Sequence, residues 1–275
     1  MAITIGIINT KGGVAKTTTA VNLAAMLAEG VLNEPYDQPY KVLLIDLDPQ
    51  GSASRCVSTE DPRGNPEFDI NHSITSALLA EPAGDVPLES ILCRSPWSPN
   101  LYYEPVNTPS MKQAAERLQG RKMRETILSQ LLEPIENAFH FIIIDFLPTA
   151  PSLNTLFFNG HFAIQAAVIP TQLTRLAMEG LPETQDELID GQRSYRHRIN
   201  LLGILPTEYR RVISQNKYLE LLRQQEDLFI FEPIPLSTDV SDSFSARQPL
   251  HRWAPKSLAT AAYKLFAQET IRRAQ

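Results

Sequence analysis

Short apolar runs alternate with longer amphipathic stretches along most of the chain. The apolar runs have the length of buried strands and cover residues 3–8, 42–45, 101–103, 139–144, 163–169, 199–205 and 228–231. The stretches between them repeat their apolar positions with helical spacing and cover residues 18–27, 110–132, 178–190, 216–226 and 257–273. Continuously apolar strands that alternate with helices are typical of parallel sheets covered on both faces. The pattern therefore predicts an α/β fold, a doubly wound and mostly parallel sheet with helices on both faces.

One part of the chain departs from this alternation. Residues 60–100 are rich in Pro, Ser and Asn, which predicts a loop-bearing excursion with one short helix at Ile74–Leu79. The sequence has no internal repeat, no low-complexity tract and no long linker. We therefore expect residues 1–275 to form a single domain.

The strongest local feature is the loop that follows the first strand, residues 10–19, which reads Thr-Lys-Gly-Gly-Val-Ala-Lys-Thr-Thr-Thr. Gly12 and Gly13 allow the backbone to curl so that successive N–H groups point at phosphate oxygens, and the next helix directs its positive end at the same anion. Lys16 is suited to the β- and γ-phosphates, and the Thr17 hydroxyl is suited to Mg²⁺. An ordinary glycine turn is the competing interpretation, but it would need this spacing to arise by chance.

The loop differs from the generic pattern GxxxxGK(S/T), because Thr10 and Ala15 occupy its two glycine positions. It fits the variant xKGGxxK(S/T), with Lys11 as the additional lysine, and so resembles the ParA/MinD family of deviant Walker-type P-loop ATPases, above all the ParA-like partition ATPases. The resemblance implies that Lys11 reaches across a nucleotide-sandwich dimer to the phosphates of the other subunit. At Ala15 we expect an ordinary φ, because a positive φ would strain alanine by roughly 1 kcal/mol.

Two acidic residues follow the second strand, in the segment Ile-Asp-Leu-Asp-Pro-Gln-Gly-Ser. Asp46 and Asp48 lie at the carboxyl end of a predicted parallel strand, where doubly wound sheets bind their ligands. A turn that uses Asp, Pro and Gly only for its shape is the alternative. The segment resembles the DxDPQG motif of the same family, and this implies that Asp46 holds a Mg²⁺-bound water and that Asp48 positions the attacking water.

A third carboxylate ends the strand at residues 139–144, in the segment Ile-Ile-Ile-Asp-Phe-Leu-Pro. This segment resembles the Walker B-like strand of the family and its DxPP ending, which implies that Asp145 supports Mg²⁺ through water. Leu147 replaces the first family proline, so we expect a less stiff loop here.

The resemblance continues weakly to the C-terminal part and implies ATP and Mg²⁺ as cofactors. Its catalytic residues would be Lys11, Lys16 and Asp48. Its ATP-binding residues would be Lys11, Gly12, Gly13, Val14, Ala15, Lys16, Thr17, Thr18 and, on the base side, Thr207 and Pro235. Its Mg²⁺ site would use Thr17 directly and Asp46 and Asp145 through water.

Composition and charge narrow the classes of protein. With 43% hydrophobic and 20% charged residues the chain suits a globular protein rather than a disordered one. Cys56 and Cys93 form no CxxC pair, which argues against a disulfide framework or a cysteine-ligated cluster. No apolar run approaches the ~20 residues of a membrane span, so we expect a cytoplasmic protein without a membrane partner.

The net charge of −6 is unevenly distributed: residues 1–190 carry 12 basic and 23 acidic side chains, whereas residues 191–275 carry 13 and 8. A positive excess of this kind suits an anionic partner, and it also suits ordinary solvated faces. The family resemblance implies that part of this region faces DNA, with the candidates Arg210, Arg211, Arg247, Arg252 and Lys256.

The function implied by the resemblance is that of a ParA-type ATPase for plasmid or chromosome partition or cargo positioning. Such a protein forms an ATP-dependent homodimer on nucleoid DNA without sequence preference, and a ParB-like or other small partner stimulates its slow hydrolysis.

Three alternatives have the same fold. A MinD-like membrane-cycling ATPase needs a free amphipathic C-terminal helix, whereas residues 265–275 have few large apolar side chains beyond Phe266 and predict a helix docked on the core. A nitrogenase-iron-protein-like carrier needs cysteine motifs that Cys56 and Cys93 do not match. A metabolic enzyme of the dethiobiotin synthetase type has a phosphate loop that resembles this one less closely.

Overall fold

A seven-stranded sheet forms the centre of the computed structural model, which describes residues 1–32, 38–58, 73–82, 84–149, 153–195 and 197–275. The strands are β1 (Ile3–Ile7), β2 (Val42–Asp46), β3 (Cys93–Arg94), β4 (Leu101–Tyr103), β5 (Phe141–Asp145), β6 (Ala166–Gln172) and β7 (Asn200–Thr207). Their order in the sheet is β3-β4-β2-β5-β1-β6-β7. Only the short β3 runs antiparallel to its neighbour, so the carboxyl ends of the other six strands share one edge.

Helices cover both faces of this sheet. They are α1 (Lys16–Glu29), α2 (Ser52–Val57), α3 (Ile74–Leu79), α4 (Thr108–Leu118), α5 (Ile127–Leu132), α6 (Asn154–Ala163), α7 (Arg175–Glu179), α8 (Leu181–Tyr195), α9 (Ile213–Arg223), α10 (Thr238–Ser245), α11 (Leu250–Trp253) and α12 (Leu258–Ala274). Alternate residues of β5 enter different hydrophobic clusters: Ile142 and Ile144 pack on one face, and Phe141 and Ile143 pack on the other. The predicted doubly wound, mostly parallel sheet is therefore confirmed.

The prediction of a strand at residues 228–231 is wrong. This segment forms one isolated parallel bridge beside β7, between Ile204 and Ile230, held by hydrogen bonds from Ile204 N–H to the Phe229 carbonyl and from Phe231 N–H to the Ile204 carbonyl, each 2.9 Å long. Pro233 follows and has no N–H to donate, so the pairing is interrupted there and resumes with the Ile234 N–H, 2.8 Å from the Pro206 carbonyl.

Two predicted helices are interrupted. The helix expected at residues 110–132 is divided, because α4 ends at Leu118 and the link to α5 contains Met123 in a left-handed conformation with φ of 52°. The helix expected at residues 178–190 is divided at Gly180 into α7 and α8. Gly120 and Gly180 lie at the two breaks, and glycine is unfavourable inside a helix, but the apolar periodicity on both sides favoured a continuous one.

The excursion at residues 60–100 contains the predicted helix α3 and also the short strand β3, which the sequence pattern did not indicate. Residues 59–72 and 83 of this region lie outside the described residues. The single-domain interpretation of residues 1–275 stays a prediction.

The C-terminal helix α12 is docked on the core, as its sequence predicted. Tyr263, Phe266 and Ala267 are buried in the same cluster as Leu23 and Leu27 of α1. Across the described ranges, none of the helices combines the length and the apolarity that crossing a bilayer requires.

A buried charge cluster joins α1, α11 and the link between β3 and β4. Glu29, the last residue of α1, lies 3.0 Å from His251 Nε2 and 2.6 Å from Arg252 Nη2, and Arg252 also donates a 2.7 Å hydrogen bond to the Trp97 carbonyl. The dipole of α1 disfavours an acid at this end, and the Arg252 guanidinium compensates part of this effect. Burial acts to raise the pKa of Glu29, but hydrogen bonds from His251 and Arg252 outweigh it and the pKa is lowered.

We predict that Glu29→Gln lowers the free energy of unfolding by about 1 kcal/mol at pH 7, a modest value because Arg252 is half-exposed. Because the folded-state pKa is lowered, the carboxylate contributes stability above its ordinary pKa of 4.5 and loses it as the pH falls through the folded-state value. Urea unfolding at neutral pH and at increasingly acidic pH should therefore show the difference between wild type and variant shrinking. Glu232→Gln is the control, since Glu232 pairs with Arg223 but is 70% exposed. Equal losses in both variants would contradict the prediction.

Candidate nucleotide-binding site

A cavity of about 890 Å³ opens at the edge of the sheet where the parallel strands end. Its walls come from the loop between β1 and α1, from the turn after β2, from the end of β7 and from α10. The predicted site residues that line it are Gly12, Gly13, Ala15, Lys16, Thr17, Thr18, Asp48, Thr207 and Pro235. Four other predicted residues, Lys11, Val14, Asp46 and Asp145, are not part of its lining.

Lys16 is the buried cation of this cavity. It is the first residue of α1, its side chain is only 7% exposed, and its ammonium donates a 2.5 Å hydrogen bond to the Lys11 carbonyl. Burial lowers the pKa of Lys16 to about 8, although the nearby Asp145 and Asp48 act to raise it. A cation held at the N-terminus of a helix inside a loop of backbone amides is an arrangement suited to a polyphosphate.

The expectation of an ordinary φ at Ala15 is wrong. Ala15 has φ 65° and ψ 29°, and Gly13, two residues earlier, has φ 72°. The left-handed turn at Ala15 allows its carbonyl to accept the Thr19 N–H at 2.9 Å, so that α1 starts directly from the curled loop. The curvature of the loop therefore overrides the preference of alanine, at a cost of roughly 1 kcal/mol.

Lys11 lies against its own chain instead of lining the cavity. Its ammonium donates to the Leu176 carbonyl in α7, and its side chain passes over Gly180, where any Cβ would overlap it. Gly180 is thus the residue that leaves space for Lys11. Val14, which is also outside the lining, is buried, and its carbonyl accepts a 3.2 Å hydrogen bond from the Thr207 hydroxyl.

Asp46 shapes the turn that carries Asp48. Its two carboxylate oxygens accept the N–H groups of Asp48 and Ser54, both at 3.0 Å, and the side chain is fully buried. Burial raises the pKa of Asp46 to about 7, with the hydrogen bond from Ser54 opposing that rise and the Asp48 carboxylate adding to it. Asp48, which is half-buried, faces the cavity from this turn.

Asp145 ends β5 directly beside Asp46, its partner in the strand pairing. It is fully buried, and neither of its oxygens makes a hydrogen bond of standard geometry. Burial and the neighbouring Asp46 hold the pKa of Asp145 well above its ordinary range, while the Thr17 hydroxyl and the Lys16 ammonium act in the opposite direction.

These oxygens suit a hydrated Mg²⁺ ion. Mg²⁺ prefers oxygen ligands and keeps several waters, and the unpartnered Asp145 oxygens next to the Thr17 hydroxyl provide acceptors for such waters. Within the described residues no group of three or more His, Cys, Asp or Glu side chains could hold a metal ion by itself. A Mg²⁺ ion at this place would therefore depend on phosphate and water oxygens for most of its coordination.

The part of the cavity wall formed by residues 234–245 contains both apolar and polar side chains. Ile234, Pro235, Val240 and Phe244 provide an apolar surface that could accept the flat face of a base, and serine and threonine side chains line the cavity beside them. Thr207, the other predicted base contact, has its hydroxyl engaged by the carbonyls of Val14 and Thr171, both at 3.2 Å. Its side chain therefore links β7 to the phosphate loop.

The predicted DNA-binding residues differ in their surroundings. Arg210, Arg211 and Lys256 are exposed, whereas Arg247 is half-buried. Arg252 is engaged by Glu29 and by the Trp97 carbonyl, so much of its charge is already neutralised.

Gln172, Glu208 and Glu104 lie near the site and belong to no recognised motif. Gln172 donates to the Gly13 carbonyl at 2.9 Å and to Glu208 at 2.8 Å, and so connects the phosphate loop to the end of β7. Glu104 accepts the Asp46 N–H at 2.6 Å. In the sequence, the one feature that sets Glu104 apart is its position as a charged residue between an apolar strand and Pro105.

Comparisons with known proteins identify relatives of this chain. A family model described as an AAA domain matches residues 2–201. The chromosome partitioning protein ParA of Myxococcus xanthus is 30% identical over 98% of this chain and 88% of its own length. The chromosome-partitioning ATPase Soj of Thermus thermophilus is 29% identical over 98% of this chain and 96% of its own length.

A solved structure is similar as well. It is the cobyrinic acid a,c-diamide synthase from Mycobacterium smegmatis with bound ATP analogue and magnesium, with 30% identity, a TM-score of 0.79, and coverage of 99% of this chain and 95% of that one. Fold and loop together define a P-loop nucleotide-binding protein. The chain belongs to the ParA/MinD family of P-loop ATPases, as the resemblance of its motifs predicted.

We predict that Ala15→Gly raises the free energy of unfolding by about 1 kcal/mol, because glycine adopts the left-handed conformation without steric cost. Chemical denaturation measures the change. Ala261→Gly, at an exposed position inside α12, is the control and should lower stability by about 0.5–1 kcal/mol. A loss of stability in both variants would mean that the conformation of Ala15 carries no strain.

Proposed function

We propose that this protein is a ParA-type ATP hydrolase that uses ATP and Mg²⁺. The observation that carries the proposal is the convergence of Lys16, Thr17 and Asp48 on one cavity at the carboxyl edge of the sheet. The names of the ParA and Soj relatives favour a role in partition or cargo positioning. The solved relative with bound ATP analogue and magnesium supports the choice of cofactors.

Transfer of a phosphoryl group to water depends on positioning and on charge neutralisation. Lys16 and the amides of the loop at Gly12 and Gly13 would hold the phosphates and neutralise charge that develops on the transferred group. When bound, Mg²⁺ supplies further neutralisation of the phosphate oxygens. The Thr17 hydroxyl would hold it directly, with Asp46 and Asp145 acting through water.

Asp48 would orient the attacking water. One of its carboxylate oxygens accepts the Gln50 N–H at 2.8 Å, and this bond fixes the side chain while it faces the cavity. Such a carboxylate needs to place the water rather than to remove its proton early, because the transition state is loose. We expect the basal rate to be slow and to be raised by a partner protein.

The finer parts of the proposal concern assembly. Two ATP-bound copies would form a dimer in which Lys11 reaches the phosphates of the other copy. For this, Lys11 must leave the Leu176 carbonyl, to which it now donates. A ParB-like or other small partner would then stimulate hydrolysis and release the dimer from nucleoid DNA. The protein would therefore be cytoplasmic and associated with the nucleoid.

Non-specific DNA binding is also proposed. The exposed Arg210, Arg211 and Lys256 support it, together with the positive excess of residues 191–275. Dimerisation would double this surface, so the affinity would depend on ATP.

A second candidate is an ATP-dependent synthase that acts on a small molecule, favoured by the name of the M. smegmatis relative. The two functions differ in what stimulates ATP turnover: DNA and a partner protein for the first, a carboxylic acid substrate for the second. The apolar face of α12 is buried in the core, so this helix does not offer a MinD-like membrane-binding face.

We predict that Lys16→Ala abolishes ATP binding, since it removes the fixed cation of the phosphate loop. Asp48→Ala should retain ATP binding and slow hydrolysis by about 100-fold, since it removes only the group that orients water. Equilibrium titration with fluorescent ATP and a phosphate-release assay separate the two effects. Lys112→Ala, at an exposed position of α4, is the control. Near wild-type affinity in Lys16→Ala would contradict the assignment of the site.

We predict that random duplex DNA binds only with ATP present, and that log affinity falls by about 0.9 per phosphate contact for each unit of log salt. The double change Arg210→Glu and Arg211→Glu should weaken binding to all sequences alike. A gel-shift assay at low salt measures this. Arg117→Glu on the exposed face of α4 is the matched control. Equal weakening by the control, or no binding at micromolar protein, would count against a nucleoid-based function.

A further inference from the structure

Glu104 lies at the point where β4 stops pairing with β2. The last paired residues of the two strands are Leu44 and Tyr103. Beyond them the pairing ends, and the Pro105 carbonyl accepts the Ile74 N–H at the start of α3, 3.1 Å away. The Asp46 N–H donates instead to the Glu104 side chain, at 2.6 Å from Oε1. The Glu104 carboxyl thus takes the place of a strand carbonyl.

The same residue is tied to α2. The Glu104 carbonyl accepts a 3.1 Å hydrogen bond from the Ser54 hydroxyl, and the Ser54 N–H binds Asp46. The other Asp46 oxygen binds the N–H of Asp48. A continuous set of hydrogen bonds therefore runs from Glu104 through Asp46 to the residue that faces the cavity.

The chain after Glu104 packs against the far end of the same turn. Gly51 has φ 64°, and a Cβ there would lie 3.3 Å from the Val106 Cβ. Residues 104–106 therefore border the turn at both of its ends, the Asp46 end by a hydrogen bond and the Gly51 end by close contact.

A buried acid is costly at this position if packing is its only role. Glu104 is fully buried, and its second oxygen, Oε2, has no hydrogen-bond partner among the described residues. An aliphatic side chain would fill the space but leave the Asp46 N–H unsatisfied in the core.

We propose that Glu104 is a positioning residue for ATP hydrolysis, which holds the turn at residues 46–51 so that Asp48 presents its carboxylate to the cavity. This inference rests on the proposed ATPase function. Glu104 itself does not line the cavity, so it acts through Asp46 and Asp48.

The test compares Glu104→Leu, which removes the acceptor, with Glu104→Gln, which keeps an acceptor oxygen and the shape. In Glu104→Leu we expect kcat to fall by about 10-fold or more, as for a small misplacement of a catalytic group, with KM for ATP changed less than about 3-fold. Glu104→Gln should restore kcat to within about 3-fold of wild type. If Glu104→Leu does not fold, Glu104→Asp withdraws the acceptor by one methylene and serves in its place.

Two further measurements separate positioning from general destabilisation. In an Asp48→Ala background, Glu104→Leu should cause no additional loss of kcat, because the two residues act on one step. Leu101→Ala, at the other end of β4 and equally buried, should lower the melting temperature and leave kcat unchanged.

Hydrogen exchange at the Asp46 amide gives a readout that does not depend on turnover. Exchange should be faster in Glu104→Leu than in wild type and unchanged in Glu104→Gln. Unchanged kcat in Glu104→Leu, equal losses in the Leu and Gln variants, or additive losses with Asp48→Ala would each overturn the inference. If wild type does not hydrolyse ATP, the proposed function fails, whereas the exchange difference still tests the hydrogen bond.

Discussion

Parallel strands that end at one edge of a sheet bring their terminal polar groups together, and this constraint organises the site. Asp46 and Asp145 end adjacent strands and Lys16 begins the helix after β1, so two acids and a cation are buried together. Burial and repulsion from Asp46 raise the pKa of Asp145, while the Thr17 hydroxyl and the Lys16 ammonium act in the opposite direction. A polyphosphate supplies negative charge for the Lys16 ammonium, and a bound divalent cation supplies positive charge for the two acids. Together they complement the charges at this edge.

Much of this site could be predicted from the sequence because its motifs are contiguous. The phosphate loop needs glycine, lysine and threonine at fixed spacing, and the acids follow apolar runs that are recognisable as strands. The conformation of Ala15 could not be predicted, since propensity opposes it and only the closed loop imposes it. Contacts such as Glu104 with Asp46 join residues 58 positions apart, and no local pattern encodes them. The single bridge at residues 228–231 was misjudged because an apolar run indicates burial and does not reveal how many hydrogen bonds its backbone makes.

The relatives agree on fold and family but differ in their named activities. ParA and Soj are named for chromosome partition, whereas the M. smegmatis protein is named as a synthase. The phosphate loop and the acidic residues are suited to both activities, because each begins with a bound nucleotide. Surfaces outside the phosphate loop, such as the exposed arginines after β7 and the cavity wall at residues 234–245, are therefore the places to look for the difference.

The break between α7 and α8 has a consequence for engineering the protein. Replacing a helical glycine with alanine is a common way to stabilise a fold, and at Gly180 it would favour one continuous helix by about 1 kcal/mol. The added methyl group would occupy the space of the Lys11 side chain and displace its ammonium from the Leu176 carbonyl. A screen for thermal stability alone could therefore select a change at Gly180 that alters the resting position of a lysine in the phosphate loop.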